Sequence, residues 1–239
     1  REEKIKDDFV TIAGETRSCL TLYETATWQQ TRFIPAGPRV SKKEIRAFIS
    51  KYERLLPNVS GIVLSGRIID GVEDGFYGEL IRRAKRKGKK VFLDTSGPAL
   101  RQGLLADPDF IKPNLMEAEI LLGRKLTKPS DLRAAVCELA TRKIGALLSL
   151  GERGALASDG QVLCSAAPPR VKVVNAVGCG DALLAGFAYA NFKKMPFAEA
   201  VRWAVGCGTA STLTSQPGHF SLAQLRALLP KVKIKQECL

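Results

Sequence analysis

Apolar and polar positions along this chain follow two rhythms, and the rhythm changes near residue 60. Before that point, residues 9–25 alternate apolar and polar (Phe9, Thr11, Ala13, then Cys19, Leu20, Leu22, Tyr23) around a break at Gly14-Glu15. A period of two predicts half-buried strands, and residues 28–34 predict another, ended by Pro35-Ala36-Gly37-Pro38. This is antiparallel β material. Ser41 then opens a helix: Glu44 completes a capping box, and Ile45, Phe48, Ile49 and Tyr52 recur at helical spacing.

From residue 61 onward, short apolar runs alternate with amphipathic stretches. Strands are expected at 61–65, 90–94, 110–112 and 146–150, and helices at 74–87, 115–122 and 130–143. Such alternation predicts a mainly parallel sheet covered by helices on both faces. Residues 155–158 and 161–165 flank Asp159-Gly160, a strong hairpin signal. Helices over 181–192, 196–214 and 221–229 are expected to close the chain.

In a parallel sheet, ligands collect at the carboxyl ends of the strands. The loops there are Ser65-Gly66-Arg67, Asp94-Thr95-Ser96-Gly97, Lys112-Pro113-Asn114 and Ser149-Leu150-Gly151-Glu152-Arg153-Gly154. Each is small or polar where a plain connector would suffice. A fifth segment, Gly178-Cys179-Gly180-Asp181, precedes an apolar helix. Its glycines allow a turn whose N–H groups converge at a helix N-terminus, which favours an anion. Asp181 is then a carboxylate beside an anion nest, suited to deprotonating a hydroxyl that attacks a bound phosphoryl group. Alone, the segment reads equally well as a turn with an N-cap aspartate. Together, the five loops point to a phosphate-rich ligand across one edge of the sheet.

Composition narrows this further. The 239 residues suffice for one large α/β domain, and no apolar run approaches the ~20 residues of a membrane span. The net charge of +13 suits phosphorylated small molecules or polyanions. Much of the excess lies between Arg82 and Lys90, where no aromatic residue interleaves the charges. That run reads as a solvated helix end rather than a nucleic-acid surface. Six cysteines without CxxC spacing, and a single histidine (His219), argue against a zinc site or a histidine-dependent triad. The thiols suggest a reducing, cytoplasmic setting. The chain begins at Arg1 rather than Met, so a piece of a longer product, or a processed one, is expected.

The motifs resemble those of the ribokinase-like carbohydrate kinases (PfkB family), most closely the 1-phosphofructokinase and tagatose-6-phosphate kinase branch. Lys112-Pro113-Asn114-Leu115-Met116-Glu117 matches Lys-Pro-Asn-x-x-Glu, and Asp94-Thr95-Ser96-Gly97 matches the Asp-Ser/Thr-Ser-Gly loop. Ser149-Leu150-Gly151-x-x-Gly154 matches the nucleotide loop. Val177-Gly178-Cys179-Gly180-Asp181 matches the signature Val-Gly-Ala-Gly-Asp, and Gly14-Glu15-Thr16-Arg17 resembles the Thr-Arg of the substrate lid.

The resemblance implies a three-layer α/β/α domain over 39–239 and a partial β lid over 1–38. It implies MgATP-dependent phosphoryl transfer to a hydroxyl of a ketohexose phosphate. Asp181 would be the base, and the amides of Gly178, Cys179 and Gly180 would face the transferred group. Lys112 would lie near the nucleotide phosphates, and Asn114 and Glu117 would organise Mg²⁺ through water, the alternative being an N-cap Asn with a solvated Glu at the helix start. Ser149, Gly151 and Gly154 would frame ATP, with Gly208 and Thr209 bordering the adenine. The small residues around Gly208 fit close helix packing equally well. Ser65 and Asp181 would meet the sugar, and Arg17 would hold the phosphate already on it. Arg67, where the branch usually has Ser, is either a surface arginine or a second phosphate cation.

The family's usual first stretch, with a substrate-binding Asp and a Gly-Gly-x-Gly-x-Asn-type loop, precedes the matched region. N-terminal strands of the sheet are therefore expected to be missing, and activity to be weak or absent unless they are supplied elsewhere. Lid strands that pair between subunits make a homodimer an expectation. Cys179, at a helix N-terminus, is expected to have a lowered thiol pKa. Two other readings stay open: a ribokinase-like kinase of another sugar or a nucleoside, and a non-catalytic nucleotide-binding or basic scaffold.

Overall fold

The computed structural model describes residues 5–24, 29–141 and 143–239. Strands β1 (Leu20–Tyr23) and β2 (Gln30–Phe33) pair antiparallel as a separate two-stranded sheet. The expected start of the second strand at Trp28 lies outside the described residues, as does Thr25. Residues 9–19 are extended or irregular rather than paired. Ser41 caps α1 (Lys42–Leu55) with the expected box, and the second Glu44 oxygen also accepts the Ala13 amide at 2.7 Å. One residue thus caps the helix and ties down the segment before it.

The main sheet has seven strands in the order β3-β4-β5-β6-β7-β8-β9. The first four, β3 (Gly61–Ser65), β4 (Lys90–Asp94), β5 (Phe110–Ile111) and β6 (Gly145–Ser149), are parallel. From β6 onward the pairing is antiparallel, through β7 (Ala155–Ser158) and β8 (Val162–Ala167), joined at Asp159-Gly160 as the turn signal requires, to β9 (Lys233–Cys238). The parallel half is the half that carries the strand-end loops.

Period-two alternation divides the core between two faces. Val91, Leu93, Ile111, Ala146 and Leu148 face one cluster, covered by α2 (Phe76–Arg86), α3 (Gly97–Leu104), α4 (Leu115–Leu122) and α5 (Pro129–Leu139). Phe92, Leu147, Ala157 and Cys164 face the other, under α6 (Cys179–Phe192) and α7 (Phe197–Ser211), with α8 (Leu222–Leu228) beyond. Phe92, Phe110, Phe187 and Phe197 interlock there, with ring centroids 4.9–6.5 Å apart. This is the expected three-layer α/β/α arrangement.

Two elements escaped the sequence reading. Helix α3 follows Asp94-Thr95-Ser96, where a loop motif drew attention away from Leu100 and Gly103 packing beneath. Strand β9 (Lys-Ile-Lys-Gln-Glu-Cys) carries charges on an outer edge, where they guard against further pairing but hide the strand's apolar signal. The Arg82–Lys90 run is the end of α2 and its turn, as expected: Arg83 pairs with Glu53 and Glu79, and Lys85 with Asp109. Among the described residues, no helix is long and apolar enough to cross a membrane.

Candidate active site

The carboxyl ends of β3, β4, β5 and β6 meet the first turn of α6. Gly178 is the N-cap of α6 in the left-handed conformation (φ +79), and a Cβ there would stand 2.8 Å from the Gly218 nitrogen. Only glycine fits both demands. The preceding turn is fixed by Asn175, whose Oδ1 accepts the Val177 amide and whose Nδ2 donates to the Ser215 carbonyl. Asp181 therefore sits in the first helical turn, exposed, beside amides that a helix start leaves without intrahelical partners. The Cys179 amide reaches back to the Ala176 carbonyl only weakly, at 3.4 Å.

Two groups converge on this turn. Ser65, at the end of β3, donates its hydroxyl to Asp181 Oδ1 at 3.4 Å, a loose contact. Lys112, at the end of β5, is 6 % exposed, and a Cβ on Gly180 would lie 3.5 Å from its ammonium. Lys112 pairs with Asp94 Oδ2 at 3.1 Å. Burial pushes the Asp94 carboxyl above the ordinary carboxylate range, against Lys112, with the nearby Glu117 and Asp181 charges adding to the rise. Asp94 thus holds the buried ammonium while two further carboxylates stand near enough to act on Asp94. Next to them the Thr95 hydroxyl is buried with no partner among the described residues. Such an orphan costs about 1–3 kcal/mol, which a ligand or water oxygen at the strand end would relieve.

Asn114 and Glu117 are engaged with each other. Asn114 Oδ1 accepts the Glu117 amide and Glu117 Oε2 accepts the Asn114 amide, both at 2.9 Å, as the capping box of α4. Asn114 also bridges to Ser149, whose hydroxyl donates to the Pro113 carbonyl at 3.4 Å. No group of three or more metal-ligating side chains occurs among the described residues. Glu117 offers a single carboxylate beside Asn114, a set that fits Mg²⁺ where waters and substrate phosphates complete its shell.

On the far side of Gly180 opens a cleft of about 740 Å³, the size of a small-ligand site. Ser149, Gly151, Gly154, Cys179, Gly180, Gly208 and Thr209 all line it. Gly154 has φ +88, and a Cβ there would overlap the Ala166 carbonyl oxygen at 2.0 Å. Gly208 lets α7 approach α6: its Cβ would stand 3.2 Å from the Cys179 oxygen and from Leu183 Cβ. It serves the packing reading while also lining the cleft. Thr209 Oγ1 donates to the Val205 carbonyl at 2.7 Å. Arg153 and Arg170 also line the cleft; Arg153 fills an unspecified position of the nucleotide-loop motif and Arg170 stands outside every motif, so neither drew a role from the sequence.

Ser65, which reaches Asp181, and Arg67 line a second, mainly apolar cleft of about 530 Å³. Arg17 lies along Gly37, whose Cβ would come within 3.9 Å of its guanidinium and 3.6 Å of Ile69 on the Arg67 loop. Arg67 is exposed and has no ion pair among the described residues. One expectation fails. Burial pushes the Cys179 thiol above its ordinary value, and this outweighs Lys112 and the neighbouring amides, which act to lower it. The helix N-terminus is overridden by desolvation.

With the geometry in place, comparison with known proteins decides the family. The family model for pfkB family carbohydrate kinases matches residues 1–223. The chain belongs to the pfkB family of carbohydrate kinases. It is 32 % identical over 235 residues to a tagatose-6-phosphate kinase of Staphylococcus epidermidis, covering 97 % of this chain and 75 % of that protein. Among solved structures, the tetrameric inhibited form of phosphofructokinase-2 from Escherichia coli shares 28 % identity with a TM-score of 0.84, over 96 % of this chain and 75 % of that one. A Thermotoga maritima protein described as a possible 1-phosphofructokinase shares the fold at 23 % identity and TM-score 0.78, over 96 % and 73 %. This chain is thus a pfkB-family carbohydrate kinase that spans three quarters of these relatives' length.

Proposed function

We propose that the chain transfers the γ-phosphoryl group of ATP to a hydroxyl of a ketohexose phosphate, with Asp181 as the general base. The observation that carries this is the convergence at Gly180-Asp181. An exposed carboxylate stands at the start of α6, between an anion-favouring helix end with the Lys112 ammonium on one side and the Ser65 hydroxyl on the other. Phosphoryl transfer asks mainly for positioning and charge stabilisation, and these groups supply both. Asp181 takes the proton of the attacking hydroxyl. The amides of Gly178, Cys179 and Gly180 and the Lys112 ammonium face the charge that grows on the transferred group.

The cleft framed by Ser149, Gly151, Gly154, Gly208 and Thr209 holds the nucleotide, with Arg153 and Arg170 near its phosphates. Asn114 and Glu117, oriented by their capping bonds, would hold Mg²⁺ through water. Bound there, Mg²⁺ would neutralise charge on the nucleotide phosphates. Arg17 and Arg67 hold the phosphate already on the sugar, a dianion that guanidinium groups suit.

Residues 1–38 form the lid side and 39–239 the catalytic domain. On the lid, Leu20 and Leu22 share one strand face and Phe33 stands opposite Leu20, all about half exposed. A two-stranded sheet is marginal alone, so we assign this face to a second copy of the chain. Sedimentation of Leu22→Glu should show monomer where the parent shows dimer; a parent that is itself monomeric overturns the assignment.

The function is tested by coupled ADP release across fructose 1-phosphate, tagatose 6-phosphate, their unphosphorylated sugars and nucleosides. The assay is run on the chain as it stands and with an upstream extension carrying the Gly-Gly-x-Gly-x-Asn-type loop. Turnover of a ketose phosphate above its parent sugar is the expected result. Preference for a neutral sugar or nucleoside would overturn the substrate assignment. No turnover in either form, with steep salt-dependent DNA binding, would favour the scaffold.

A further inference from the structure

Tyr77 stands in the first turn of α2, outside every motif that marked the site. Its hydroxyl lies 3.2 Å from the Ser65 carbonyl oxygen and 3.1 Å from that of Gly66, the two consecutive carbonyls at the end of β3. A phenol has one proton, so the two acceptors share it. The backbone needs such a clamp here. Gly66 has φ +111, which only glycine adopts readily, and the chain turns away from the sheet at that residue. One further backbone bond holds the turn, from the Gly66 amide to the Asp94 carbonyl at 3.0 Å. Asp94 is the partner of Lys112. The Tyr77 ring is partly buried, and burial pushes its phenol above its ordinary value, Asp94 adding to the rise, so the hydroxyl stays a donor throughout the physiological range.

The residue that this clamp fixes is Ser65, whose side chain touches Asp181. The next residue beyond Gly66 is Arg67. One hydroxyl from α2 therefore sets the height of the loop that presents both groups to the sugar side of Asp181. We infer that Tyr77 is a positioning residue for phosphoryl transfer, acting through the Ser65-Gly66 backbone to hold Ser65 and Arg67 against the acceptor. This rests on the role proposed above for Asp181.

Tyr77→Phe removes the hydroxyl and keeps the ring. In the form of the chain that turns over, KM for the ketose phosphate should rise about fivefold, the worth of one net hydrogen bond. KM for ATP should stay within twofold, because the nucleotide cleft lies on the other side of Gly180. A merely structural loss would lower kcat through the active fraction and leave both KM values alone. In a Ser65→Ala background, Tyr77→Phe should add less than twofold to the remaining effect. Equal rises in both KM values, or full additivity with Ser65→Ala, would overturn the inference. A second measurement does not need turnover: amide hydrogen exchange at Gly66, whose N–H is held by the Asp94 carbonyl, should be at least tenfold faster in Tyr77→Phe, with β4 and β6 unchanged. If neither form of the chain turns over a ketose phosphate, the proposed function fails while exchange still judges the clamp. Unchanged exchange sinks the clamp whatever the kinetics show.

Discussion

Replacing Lys112 by Met separates the structural and chemical work of the strand-end cluster. Lys112 is 6 % exposed and its ammonium stands 3.1 Å from Asp94, whose side chain is 15 % exposed. Met keeps the length and apolar stem but leaves the Asp94 carboxylate without its cation. Removing one member of a buried pair costs about 3–5 kcal/mol, and the residual exposure of Asp94 argues for the lower end, about 3. For a domain of this size each kcal/mol moves Tm by roughly 2–4 °C, so a fall of about 6–12 °C is expected in thermal unfolding followed by circular dichroism.

The loss should depend on pH, and the sign follows from Asp94. Its folded pKa is raised above 3.8, so in the interval above 3.8 the folded state holds a proton the unfolded chain has released. Stability then falls as pH rises through that interval. Without Lys112 the folded pKa rises further, so the defect should be larger at pH 8 than at pH 5. Adding Asp94→Asn to Lys112→Met removes the orphaned charge and should recover most of the Tm. It should not recover ATP affinity, because the ammonium beside Gly180 is still gone. A Lys112→Met protein within about 2 °C of the parent at both pH values would refute this account of the cluster.

Two further outcomes follow from the glycines and thiols. Gly154→Ala forces a Cβ onto the Ala166 carbonyl oxygen in a glycine-only conformation and should cost at least about 3 kcal/mol with a raised KM for ATP. Gly151→Ala (φ +61, nothing within 4 Å) should cost only about 1 kcal/mol, and denaturant melts of the pair would expose a wrong assignment if the two losses were alike. Limited alkylation with mass mapping should label the exposed Cys19 and Cys238 before Cys179, whose thiol burial holds protonated; Cys179 reacting first would show that the helix N-terminus dominates after all.

The fold was largely legible because its signals are local. The Ser41 box, the Asp159-Gly160 turn and the apolar runs of β3, β4 and β6 each follow from a few neighbouring residues. Helix α3 and strand β9 were not legible, since Leu100 and Gly103 pack through tertiary contacts and an outer strand is coloured by its charges. The site was legible as loops but not as partnerships. Nothing in the sequence says that Lys112 pairs with Asp94, that Tyr77 reaches back to Ser65, or that Arg153 and Arg170 line the cleft beside Gly180. Cys179 shows the limit most clearly: its position at a helix start is local, while the burial that raises its pKa comes from the surrounding fold.

The central claim is that Asp181 takes the acceptor proton. Asp181→Asn is nearly isosteric at an exposed position, so Tm should hold within about 2 °C and ATP affinity within about threefold. The decisive measurement is ketose-phosphate-dependent ADP release by this variant at saturating ATP. The account predicts a fall of about 10²–10⁴-fold with nucleotide binding intact. ADP release within about tenfold of the parent would contradict it and move the base elsewhere.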